Sequence, residues 1–157
     1  MSQEDLFSLP INPKIEPEYI DGKIIPFLNK HKHLIYDLYF TTRMPPFMQD
    51  AMGDVFRGTS DAQAAVKNAF YIRDKTGLPL SATFNNIWVK PDQKNLEEFI
   101  TNFKFLYDNG VRTATIPHTS WVMTGQIQKE YPELKIKNTI LRAVSYTHLT
   151  LPTTTIV

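Results

Sequence analysis

The chain has 157 residues, a net charge of +1, 42% hydrophobic and 21% charged residues, and no cysteine. This is an ordinary globular composition. It lacks the charge footprint of a nucleic-acid or membrane-surface binder and excludes disulfides, thiolate nucleophiles and cysteine-ligated metals from the sequence. No apolar run reaches the length of about eighteen residues that suggests a bilayer span, and the acidic start MSQEDLFSLP has none of the regions of a signal peptide. A cytoplasmic protein with neither membrane nor nucleic acid as partner is expected.

Residues 1–33 carry Pro10, Pro13, Pro17 and Pro26 and read as an irregular arm, because proline forbids long helices. Within it, Ile20 to Ile25 surround Asp21-Gly22 and predict a small hairpin. Leu34 to Phe40 is a short apolar run that suits a strand buried on both faces. A loop follows over Thr41 to Thr59, in which Met44, Met48 and Met52 recur every four residues as packing side chains.

Ser60 and Gln63 form a capping box that opens a helix with Ala62, Ala65, Val66, Ala69, Phe70 and Ile72 on or beside one face, closed by Gly77. Leu78 to Phe84 predicts a second strand, with Pro79 tolerable at its start. Asn95 with Glu98 predicts the cap of the clearest amphipathic helix, carrying Leu96, Phe99, Ile100, Phe103, Leu106 and Tyr107 and ending at Asn109-Gly110. Val111 to Ile116 is a third strand, Trp121 to Glu130 a short helix ended by Pro132, and Leu134 to Leu141 a fourth strand.

Strand and helix therefore alternate in the manner of parallel β/α units. Four strands of a doubly wound sheet or half of an eight-fold barrel both satisfy the pattern. The loop Thr41-Thr42-Arg43-Met44-Pro45-Pro46 has no glycine-rich phosphate turn, which favours a TIM-type half barrel truncated after its fourth strand. The domain is placed at residues 34–143.

In either architecture the chemistry belongs at the carboxyl ends of the strands. These ends nominate Arg43, Asn85, Asn86, Asn138 and Arg142 for substrate binding and His118 for acid/base catalysis. A guanidinium suits a planar carboxylate or phosphate, amides offer both donor and acceptor, and imidazole titrates near neutrality. Each has a plainer reading beside it. Arg43 can pair with Asp37, Asp50 or Asp54, the two asparagines can be turn formers, and His118 can bond its own loop. Thr119 and Ser120 suit a helix cap better than a nucleophile. Trp88 and Trp121 suit packing better than a ligand platform. His31 and His33 lack the further ligands that a metal site needs. Lys135 and Lys137 alternate with Ile136 and mark a solvated or ion-paired side of the last strand. No metal or cofactor is indicated by these residues.

The final residues, 144–157, read VSYTHLTLPTTTIV. Val144 to Thr153 matches, residue for residue, the translation of a transposase-type sequencing adapter. The expectation is a non-native tail on an amino-terminal fragment, with the second half of its own domain missing.

Thr83-Phe84-Asn85-Asn86, Leu96-Glu97-Glu98, Asp108-Asn109-Gly110-Val111 and Tyr131-Pro132-Glu133-Leu134-Lys135-Ile136 stand in an order that resembles the U32 peptidase, or collagenase-like, family. The resemblance covers roughly residues 78–141. It implies a β/α barrel, with members described as proteases and others tied to RNA or quinone hydroxylation, some with iron–sulfur clusters on downstream cysteines. Two departures stand out. The Leu-Ala-Pro-Ala-Gly type of first strand is not evident at Ile35 to Thr42, and His118-Thr119 replaces the more usual Asp-Leu-Gly. The resemblance assigns no catalytic residue here.

Overall fold

The computed structural model describes residues 6–12, 15–48 and 59–138. Five strands make one parallel sheet: β1 (Phe7–Pro10), β2 (Ile35–Thr41), β3 (Leu80–Thr83), β4 (Thr113–Ile116) and β5 (Lys135–Asn138). Their spatial order is their chain order. A doubly wound sheet needs a point where strand order reverses, and these five strands have none.

The amino-terminal stretch differs most from expectation. Phe7–Pro10 is an edge strand of the sheet, so the described sheet has five strands where the sequence pattern suggested four. The Asp21-Gly22 hairpin is absent. In its place lies a helical segment: α1 (Pro17–Tyr19), a π turn (Ile20–Ile24), α2 (Ile25–His31) and a 3-10 turn (Lys32–Leu34). Pro17 sits in the first turn of this segment, where a missing N–H costs nothing, and Pro26 lies just after the π turn. Ile20 and Leu28 are driven into the core, and that burial overrides the turn preference of Asp-Gly.

Helix α3 (Thr59–Thr76) and helix α4 (Gln93–Asp108) fall where their apolar periodicity predicts. Val66, Ala69, Phe70 and Ile72 of α3, and Leu96, Phe99, Phe103 and Leu106 of α4, are buried. The proposed Ser60–Gln63 box involves side chains outside the described ones. Gly77 and Gly110 follow the two helices in left-handed conformations, φ 74° and 90°, as helix stops require. The cap of α4 is not Asn95. Asp92 is the N-cap and its carboxylate accepts from Asn95 N at 2.9 Å, while the Asn95 amide donates to Lys90 O. The short helix predicted over 121–130 is divided at Gly125 (φ 74°) into α5 (Thr119–Met123) and α6 (Gln126–Glu130). Among the described residues no helix is long and apolar enough to cross a membrane.

The two sheet faces differ sharply. Leu38 and Phe40, Leu80 and Ala82, and Ala114 and Ile116 are buried on one face, in a single core with the helices. The register then places Asp37, Tyr39 and Thr41, Ser81 and Thr83, Thr113 and Thr115, and Lys135 and Lys137 on the other face. A bulge where β1 meets β2 leaves Tyr36 without a partner on β1. A bulge locally breaks the alternation of side chains, and this one lets Tyr36 share the polar face with Asp37.

The polar face is concave. Asp37 Oδ2 accepts from Lys137 Nζ at 3.3 Å, although β3 and β4 lie between their strands. Strand neighbours lie about 4.8 Å apart, so a flat sheet would separate β2 from β5 by about 14 Å. The pairing Thr41–Thr83–Thr115–Lys137 further sets Lys137 four residues beyond the level of Asp37. The two side chains reach only part of that span, so the sheet bends toward this face between β2 and β5.

Candidate functional site

Because every strand is parallel, the carboxyl ends share one rim. Arg43 follows β2, Asn85 and Asn86 follow β3, His118 follows β4 and Asn138 closes β5. The fold thus brings to one end the positions that strand order nominated. Arg142 lies outside the described residues, as does the Asn138 side chain.

Arg43 and His118 are more enclosed than an open rim suggests, at 6% and 4% exposure. After β2 the chain turns tightly, Phe47 N donating to Met44 O at 2.7 Å. The turn buries Met44 and inserts Phe47 among Phe84, Phe99 and Trp121, with ring centroids 5.3, 5.9 and 5.7 Å away. His118 joins this cluster, 4.8 Å from the Trp121 ring and 6.1 Å from that of Phe47. Its backbone carbonyl accepts from Trp121 N as the N-cap of α5, so Thr119 and Ser120 do not cap that helix. Arg43, Asn85 and His118 each already engage neighbours within the fold.

Asn86 takes its plainer reading. Its Oδ1 accepts from Trp88 N at 2.9 Å, a turn that ties down the loop. Trp88 itself is 86% exposed, and Trp121 is buried. Packing therefore accounts for Trp121 but not for Trp88. The Thr42 hydroxyl and Trp121 Nε1 are buried without a hydrogen-bond partner among the described residues.

The sequence pattern offered Asp37 only as a possible partner of Arg43 and missed its pairing with Lys137. Asp37 sits mid-strand, inside a run read as apolar, and is 2% exposed. Lys137, 45% exposed at its side chain, supplies its ion pair and also stands 5.6 Å over the Tyr36 ring. Asp37 Oδ1 has no hydrogen-bond partner among the described residues. The signal that reveals this face is a period of two: Asp37-x-Tyr39-x-Thr41, Ser81-x-Thr83, Thr113-x-Thr115 and Lys135-x-Lys137. Of these, Lys137 had been expected to mark an ion-paired side of its strand, and it does.

Among the described residues no group of three or more His, Asp or Glu is placed to hold a metal ion. An apolar groove of about 550 Å³ runs along the β1 edge, lined among others by Leu9, Ile11, Tyr19, Ile24 and Phe27. Comparison with known protein-family models and with curated proteins finds no match.

Proposed function

We propose that this chain forms the first part of a β/α-barrel enzyme that binds a polar or anionic substrate at the carboxyl ends of its strands. The Asp37–Lys137 contact carries the reading. Three strand steps with a four-residue offset come close to the stagger of an eight-stranded barrel of shear 8, about one residue per strand. The unbroken strand order and the segregation of polar side chains to the concave face support the same architecture. His118 is the acid/base group in this reading, and Arg43 and Asn85 shape the substrate end, with Asn86 holding its loop and Asn138 and Arg142 farther round the rim. The motif order over residues 78–141 makes a U32 peptidase-like hydrolase the specific activity to test. The absence of cysteine from the sequence suits a reducing, cytoplasmic setting.

The same reading takes residues 144–157 as adapter-derived. Amplifying the source DNA and sequencing through codon 143 tests both points. The expected result is a frame that leaves VSYTHLTLPT and continues into further strand–helix units. A native stop codon directly after Val157 would overturn it. In the extended protein, Arg43→Ala and His118→Ala should each abolish most turnover of a peptide substrate, and unchanged activity removes the residue from the site.

A further inference from the structure

We infer that the concave face between β2 and β5 binds a polyhydroxylated, sugar-like ligand through Asp37, Lys137 and Tyr39, at a site apart from the rim residues but resting on the barrel reading above. A carboxylate this deeply buried is tolerated only when its oxygens are satisfied. Lys137 satisfies Oδ2 at 3.3 Å, and Oδ1 still requires a donor. The ammonium carries three donors and gives one to Asp37. The pair therefore offers an acceptor and further donors side by side, which adjacent hydroxyl groups of one ligand match, since each hydroxyl both donates and accepts.

The surroundings suit the same chemistry. Tyr36 and Tyr39 are exposed, and aromatic faces pack against the C–H surfaces of a sugar ring while their hydroxyls remain available. Thr41, Thr83 and Thr115 stand in one row across three strands, with Ser81 and Thr113 in the row below. A phosphate or carboxylate ligand would suit the two lysines but would meet Asp37 as a like charge.

The test uses the full chain, its folding verified by circular dichroism. Glucose, ribose and inositol are offered separately in saturation-transfer NMR, and inorganic phosphate is followed by its phosphorus line width. At least one polyol should bind, with Asp37→Asn weakening it at least about tenfold, as loss of a charged hydrogen bond implies. Tyr39→Ala, at an exposed position, should weaken it as well and serves if the Asp37 variant does not fold. No polyol binding by the folded wild type overturns the inference, and so does binding that neither variant changes. Phosphate binding without polyol binding also overturns it. Finding further β/α units past codon 143 would leave the barrel reading intact in each of these cases.

Discussion

The Asp37 carboxylate and the Lys137 ammonium meet at 3.3 Å from strands that are not neighbours. One partner is buried and the other is half in water, so their removal should have unequal effects. Taking away Lys137 strands a buried charge, whereas replacing both groups removes the problem. Lys137→Met should destabilise the chain by about 1–3 kcal/mol, below the range for fully buried pairs because the ammonium is partly solvated. The double variant Asp37→Leu/Lys137→Met should return to within about 1 kcal/mol of the wild type. Urea unfolding of the three proteins measures this, and a double variant worse than the single one contradicts it.

The aromatic cluster should behave as one packed unit. Phe99 contacts Phe47, Phe84, Phe103 and Trp121 and is fully buried. Phe99→Ala should cost about 3–5 kcal/mol. Trp88→Ala, at an exposed side chain, should stay within about 0.5 kcal/mol of the wild type. Thermal melts followed by far-UV circular dichroism distinguish the two. Equal losses would mean that Trp88 packs against something in solution.

Tyr131 links stability to alkaline pH. Burial, and then the nearby Glu130 and Asp108 charges, push its phenol up to about 12 from 10.0. The folded chain therefore holds the neutral form longer than the unfolded chain does. Its contribution is fully present below pH 10 and is lost as pH rises from 10 through 12. The hydroxyl also donates to Ile100 O. Tyr131→Phe should lose about 1 kcal/mol at neutral pH and show a shallower decline above pH 10. Unfolding curves from pH 8 to 12 test this, and parallel declines for both proteins contradict it.

The start of α4 offers a test of the cap. Asp92→Ala should cost about 1 kcal/mol, since its carboxylate accepts from Asn95 N. Glu98→Ala should cost little, because Glu98 lies inside the helix and its predicted partner Asn95 does not cap it. Equal effects in guanidinium unfolding would restore the Asn95–Glu98 box.

Element type was legible wherever apolar spacing ran long. The stripe from Leu96 to Tyr107 identified α4, and Gly77 and Gly110 marked both helix ends. Identity of the cap was not legible, because Asp92 and Asn95 are both good caps and only the chain path chooses between them. The amino-terminal segment misled through its prolines: Pro17 is harmless in a first helical turn, and Pro26 is accommodated just after a π turn. The parallel alternation of strand and helix was read from periodicity, while the strand order came only from pairing. The rim positions followed from topology alone. Asp37 did not, since one acid in an apolar run carries meaning only when Lys137, a hundred residues later, is folded against it.

The sequential strand order has a consequence for how the chain acquires its structure. Each strand pairs with the one made just before or after it, so every new strand–helix unit finds its docking surface already present. Contacts between distant parts of a chain slow folding, and this arrangement keeps pairing between successive units. Synthesis from the amino terminus suits stepwise assembly: β1 and β2 offer a template, and each later unit extends it as it leaves the ribosome. Interruption during growth would then leave a shorter sheet of the same pattern, with its most recent strand as the growing edge.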